Sequence, residues 1–497
     1  MKKIVFIEPK PSDLHVFTRA AIPRLGTVLL GTILKKHGYN VLSCVETIEE
    51  LDLKDVLTAD LVGISCITAT ARRSYEIAML LRQAGVTVFI GGPHATFLPD
   101  EALQYCDFVI RGEADDCIVD FVKAVETGKG LEQITGLSYR DSAGRVTHNR
   151  ETATCKNVDS LPCPDFTLIK GLETHGLKKF PITPIMTSRG CPFDCSFCSV
   201  TGMFGQKYRF RNKENVIKEL ENHRNFGGDW VFFYDDNFIA HKKRTKELLS
   251  AMIEKKLTFP WTAQVRVDVA RDQELMDLMK RSKCNTVYIG FESINPETLK
   301  LYNKKQSLDD IETCIKLLHK NGTRIHGMFV FGADTDTTGT IHETIRFAKK
   351  NNLETVQFLI LTPLPGTRCY SDLEKEGRII SKDWSLYDAH HVVFEPKLMS
   401  YYELQSETMQ ATKEFYSIPQ IIKRAVKLDL FNVALKTYGR NVSRKWSKKN
   451  EYFVEYTKTI TNAGRNIELA AKKTAEDIKE KFAELHLSGA VIKKELV

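Results

Sequence analysis

The chain has 497 residues, 42% of them hydrophobic and 27% charged, and its 71 Lys and Arg against 63 Asp and Glu give a formal net charge of +8. That length suits two or three domains, each able to bury a core. No run of 18 apolar residues occurs, which excludes a membrane-spanning helix. The 12 cysteines lie mostly inside apolar runs and read as small core residues, not as a disulfide framework.

Over residues 1–130, short apolar runs at 4–7, 41–44, 61–66, 86–90 and 108–110 alternate with helical stretches at 26–37, 71–83, 100–105 and 116–125. The first run follows a basic start, but Glu8-Pro9-Lys10 cuts it too short for a secretory signal, and a cytoplasmic protein is expected. Strands alternating with crossover helices predict a doubly wound, Rossmann-like parallel sheet with ligands at the strands' C-terminal ends. The loops at those ends are 9–24, 67–70, Gly91-Gly92-Pro93-His94 and Arg111-Gly112-Glu113. Residues 131–180 read as a connector, with a hairpin around Asp141-Ser142-Ala143-Gly144 and a proline-stiffened tether at Leu161-Pro162-Cys163-Pro164.

From 181 to 400 the alternation resumes as six strand-plus-helix units, with strands at 184–187, 230–234, 262–267, 286–291, 326–331 and 356–361. The first leads into Cys191-Pro192-Phe193-Asp194-Cys195-Ser196-Phe197-Cys198; the second ends in Asp235-Asp236-Asn237 and the fourth in Glu292-Ser293. Three thiolates on one short loop can hold three irons of a [4Fe–4S] cube and leave the fourth iron open to a small molecule. A structural zinc site is closed by four ligands, and no nearby pair or His supplies the fourth here.

The barrel rhythm is lost near Ser381, and residues 401–497 read as a helical tail. Ser417-Ile418-Pro419 is a helix start. Residues 421–450 carry nine basic side chains and one acid, Asp429, an excess equal to the net charge of the whole chain. Apolar residues interleave with them at helical spacing, which suits either a basic helix on an anionic membrane surface or a solvated helix packed on the barrel. Residues 465–485 read as a final charged helix, and no nucleic-acid-binding module is evident.

The cysteine spacing and its setting resemble the radical S-adenosylmethionine (SAM) superfamily, whose core is a partial (β/α)6, TIM-type barrel. In that superfamily the open iron binds SAM, and reductive cleavage yields a radical that abstracts hydrogen. The resemblance implies cluster ligation by Cys191, Cys195 and Cys198 and an adenine contact by Phe197. It implies a place for the SAM amino group at Tyr234-Asp235-Asp236, a SAM carboxylate contact by Arg266 and a ribose contact by Glu292. The first 130 residues resemble the cobalamin-binding domain of one branch of the superfamily, whose fingerprint is D-x-H-x-x-G, S-x-L and G-G. Asp13-Leu14-His15-Val16-Phe17-Thr18, Ser65-Cys66-Ile67 and Gly91-Gly92 follow its order, with Thr18 and Ile67 departing from it. Gly91, Gly92 and Ser65 are thereby implied in cobalamin binding, and His15 is expected not to ligate cobalt.

What the resemblance implies is an anaerobic, cobalamin-dependent enzyme, most often a C-methyltransferase acting on an unactivated carbon. With the basic tail it points to a hydrophobic substrate of lipid, isoprenoid or tetrapyrrole type, an electron donor such as flavodoxin or ferredoxin, and peripheral contact with the inner membrane surface. Cyclisation or oxidative rearrangement without methyl transfer is the alternative chemistry. A non-catalytic iron–sulfur or cobalamin sensor is the alternative class, and it would have no use for the acidic strand ends at Asp235, Asp236 and Glu292.

Overall fold

The computed structural model describes residues 3–12, 22–150, 155–172, 182–225 and 228–467, with a few further positions up to 476. Seven strands form the first sheet: β1 (Lys3–Glu8), β2 (Asn40–Val45), β3 (Leu61–Ser65), β4 (Thr87–Gly91), β5 (Phe108–Ile110), β6 (Leu137–Arg140) and β7 (Val146–His148). Their order is β2-β1-β3-β4-β5-β6-β7. The first five are parallel, and the strand order reverses beside β1, so the ligand crevice falls at the C-terminal ends of β1 and β3. Both faces of these strands are buried, as covering helices require: Val5, Ile7, Val62 and Ile64 join one core, Ile4, Phe6 and Leu61 another. The hairpin expected in the connector is present, but it adds β6 and β7 antiparallel to the edge of this sheet.

The second unit holds β8 (Ile182–Ile185), a two-stranded ribbon of β9 (Ser188–Arg189) and β10 (Arg209–Phe210), then β11 (Trp230–Phe233), β12 (Trp261–Val265), β13 (Cys284–Glu292), β14 (Arg324–Phe331) and β15 (Thr355–Ile360). Except for the ribbon, all six pair in parallel in the order β15-β14-β13-β12-β11-β8, the partial barrel the six repeats predict. Its core is aliphatic and aromatic, with Trp261, Phe233, Phe291, Phe329 and Phe331 almost fully buried. Residues 370–393 do not belong to the barrel alone. Tyr370, Trp384, Tyr387 and Val393 pack into the core of the first unit, and Trp384 Nε1 donates to Glu101 at 2.8 Å.

The basic segment departs from expectation. One helix over 421–450 is not formed; there are two, Ile418–Val426 and Leu430–Lys449. They are separated by a turn in which Leu428 has φ +55, a left-handed conformation that stops a helix of L-residues. The fingerprint residues Asp13 to Thr18, with His15, and most of the expected 465–485 helix lie outside the described residues.

Candidate active site between the two sheets

The loop that carries Cys191, Cys195 and Cys198 is fixed at its root by buried charge. Asp235, fully buried, accepts from the Thr187 amide at 3.3 Å and the Thr187 hydroxyl at 3.0 Å, and from the Ser188 hydroxyl. Arg244 donates to Thr187 Oγ1 at 3.0 Å and to the Thr187 carbonyl at 2.9 Å. Further along, Asp194 pairs with Arg368 at 2.5 Å and its carbonyl accepts from Asn303 at 2.9 Å. The Arg266 guanidinium lies 3.8 Å over the Phe193 ring, and Phe197 meets Tyr302 edge to face at 4.9 Å.

The expected SAM residues therefore divide. Asp235 is committed to bracing the loop, and the carboxylate left open beside it is Asp236, for which no hydrogen bond is found among the described residues. Asp236 and its neighbour Tyr234 remain accessible, and Tyr234 keeps 38% of its surface. Burial, helped by Asp235, pushes the Asp236 carboxyl up to about 7. Burial, then the Glu8 charge, pushes the Tyr234 hydroxyl up to about 12. Glu292 sits at a register shift in β13 with φ +62, its Oε1 accepting from Lys304 at 2.6 Å. Arg266 donates to the Lys304 carbonyl, so Arg266, Lys304 and Glu292 form one buried chain beside Phe193.

The strand ends of the first sheet face this mouth. Phe97, just past the glycine pair, fills a slot between Gly202 and Gly366: a Cβ on Gly202 would come within 3.0 Å of its ring and one on Gly366 within 2.3 Å. Arg189, two residues before Cys191, bonds to Glu113 at 2.9 Å and Asp115 at 2.6 Å, and Arg209 reaches Glu113 at 2.7 Å. At the crevice beside β1, Arg24 pairs with Glu8 at 3.3 Å and its Nη1 donates to the Ser65 carbonyl at 3.4 Å. Gly91 and Gly92 behave differently. A Cβ on Gly91 meets only Ile110 O, at 3.7 Å, whereas Gly92 has φ +99 and a Cβ there would be 2.7 Å from Cys66 O. Gly92 is thus demanded by the crossing of its own loop over Cys66, before any ligand is considered.

Sequence reasoning missed Phe97, the Arg189–Glu113–Asp115–Arg209 network and the Arg24–Glu8 pair. Arg111-Gly112-Glu113 stood out as a strand-end loop, but nothing in the sequence joins Glu113 to an arginine 76 residues away.

The three cysteines are half-buried, and Cys195 lies near enough to both Cys191 and Cys198 to act on their charge. No trio of His, Cys, Asp or Glu among the described residues is gathered tightly enough for a single metal ion. Burial pushes the Cys198 thiol up to about 12, so iron must displace protons as it binds.

The arrangement is that of a radical SAM barrel closed by a cobalamin-binding sheet. Residues 185–348 match the Radical SAM superfamily and residues 19–122 the B12 binding domain family. An uncharacterised methyltransferase of Pyrococcus horikoshii is 30% identical over 85% of this chain and 94% of its own length. The bacteriochlorophyllide d C-12(1)-methyltransferase of Chlorobaculum tepidum is 30% identical over 85% of this chain and 89% of its own. Among solved structures, the radical SAM methyltransferase TsrM of Kitasatospora setae, with cobalamin and a [4Fe–4S] cluster bound, superposes with a TM-score of 0.64 at 17% identity over 76% of this chain and 75% of that one. The chain belongs to the cobalamin-dependent radical SAM methyltransferase family. It is an enzyme, and its cofactors are a [4Fe–4S] cluster, SAM and cobalamin.

Proposed function

We propose that this enzyme transfers a methyl group to an unactivated carbon of a hydrophobic substrate, of tetrapyrrole, isoprenoid or lipid type. The observation that carries the reading is the meeting of two strand-end mouths, held together by Phe97 in its glycine slot and by Arg189 on Glu113 and Asp115. The cluster, when bound, supplies the electron that cleaves SAM; cobalamin supplies a methyl carrier.

This chain's own residues bind and orient. Cys191, Cys195 and Cys198 hold the cluster. Asp236, the unbonded carboxylate at the end of β11, receives the SAM ammonium, and a bound cation there draws its proton off. Arg266, fixed on Phe193, faces the SAM carboxylate, and Phe197 the adenine. Glu292, with one oxygen on Lys304, offers the other to the ribose. Ser65, Gly91 and Gly92 line the cobalamin side, and the corrin needs no cobalt bond from His15. Tyr234 is the aromatic wall between the halves and excludes water from the reacting carbon. The relative from Chlorobaculum tepidum, named for methylating a bacteriochlorophyllide, supports a flat, apolar substrate. A flavodoxin or ferredoxin delivers the electron, and the basic segment supports peripheral contact with an anionic membrane face.

The test is methyl tracing. Cells with and without the protein, fed methionine carrying a trideuterated methyl, are extracted into organic solvent and compared by mass spectrometry. The reading expects one apolar species bearing a trideuteromethyl group only when the protein is present. An apolar product altered without added deuterium would replace it with cyclisation or rearrangement.

A further inference from the structure

The turn between the two C-terminal helices leaves an apolar surface that the other described residues do not cover. Ile418, Ile422 and Val426 recur every fourth residue and so share one face of the helix Ile418–Val426. They are 52%, 55% and 79% exposed, and Leu428 and Leu430 in the turn reach 84% and 73%. Five large aliphatic side chains open to water in one contiguous patch is not how a monomer finishes its surface. The other side of the same hairpin packs on the body of the fold, although Phe431 keeps 43% of its surface. Phe431 stacks under Arg324, Lys436 lies 3.6 Å over the Phe415 ring, and Arg424 donates to the Asn352 carbonyl at 2.7 Å.

The charges around the patch have one sign. Lys423 and Lys427 are exposed beside it, and Arg424 lies partly buried behind. Asp429, the one acid from 418 to 450, is tied to Arg424 at 3.3 Å and to Asn432 at 2.7 Å. We infer that this turn inserts into an anionic lipid surface, with Ile418, Ile422, Val426, Leu428 and Leu430 among the acyl chains and Lys423 and Lys427 at the headgroups. Basic residues flanking an exposed aliphatic face complement a negative interface.

The location sharpens the consequence. Arg424 and Phe431 contact Asn352 and Arg324, which lie at the N-terminal ends of β15 and β14. The far end of the helix Leu430–Lys449 sits at the mouth side, where Asn450 meets His391 and Lys449 reaches Ser12. Twenty helical residues rise about 30 Å. The patch is therefore at the base of the barrel, and the contact tethers the enzyme by the end opposite its mouth.

The experiment uses the full-length, cofactor-loaded protein and vesicles of phosphatidylcholine alone or mixed with phosphatidylglycerol. Co-sedimentation is expected with the anionic vesicles only and is expected to fade in 1 M salt. Leu428→Ser with Leu430→Ser, and separately Lys423→Glu with Lys427→Glu, should each lower partitioning at least about tenfold. Both variants should still cleave SAM, which separates this tether from the methyl-transfer reading. Equal binding to neutral vesicles, no binding at all, or binding retained by the Leu variant overturns it. So does a solution mass of two chains that falls to one in the Leu variant, because the patch would then belong to a second copy.

Discussion

The barrel's mouth is held open by charged side chains, whereas the sheet's mouth is shaped largely by backbone. Asp235 and Arg244 grip Thr187, Arg368 grips Asp194, and Arg266 covers Phe193, so the cluster loop is a set of side-chain bonds hung on rigid strands. Opposite it, the Gly92 turn is fixed by its own main chain: the Cys66 amide donates to the Gly91 carbonyl at 2.8 Å, and the Cys66 carbonyl accepts from the His94 amide at 3.2 Å. The difference follows from the ligands. A small, charged sulfonium molecule and an iron cube need few, strong, directed contacts. A corrin is large and flat, and what it needs is room.

Breaking either mouth alone should leave the other intact. The largest effect is expected from replacing Cys191, Cys195 and Cys198 together by Ala, which removes the iron and all SAM cleavage yet leaves cobalamin bound; iron analysis and chromatography of 5′-deoxyadenosine read both. Next is Gly92→Val, where a β-carbon collides with Cys66 O at a positive φ. Cobalamin should be lost, with iron content unchanged, whereas Gly91→Ala should cost little. Cobalamin retained by the Val variant would show that the turn is not part of that site.

Smaller effects sharpen the junction. Glu113→Gln leaves Arg189 and Arg209 buried without their shared carboxylate, a change expected to cost about 3 kcal/mol in denaturant unfolding. The smallest concerns the tail. Burial, and then Arg424, hold the Lys436 ammonium down to about 7, so the folded state binds fewer protons than the unfolded chain between about pH 7 and 10.5. Stability should therefore rise with pH across that window and level off at its lowest below about pH 7. Lys436→Met should flatten this slope and raise stability at pH 7 by at least ~1 kcal/mol. An unchanged slope would mean that the Phe415 ring keeps the amine charged and offsets its burial.

Much of this was legible in the sequence because period and punctuation carry it. Six apolar runs separated by helices predicted the barrel that is found. What stayed hidden depends on tertiary approach. Asp235 and Asp236 look equivalent in sequence, and only the fold shows one turned onto Thr187 and Ser188 and the other left open. The Phe97 slot needs two glycines 164 positions apart to meet one ring. The basic segment read as a single helix because its charges are evenly spaced, but a left-handed Leu428 breaks it.

The central claim is that cluster and cobalamin share one cavity, and electron paramagnetic resonance tests it most directly. In protein carrying both, chemical reduction of the cluster should speed the spin relaxation of cobalamin(II), since two paramagnets on facing mouths couple through space. The account predicts this enhancement in the native protein and its disappearance when Cys191, Cys195 and Cys198 are Ala. Identical cobalamin relaxation in the two proteins would contradict it.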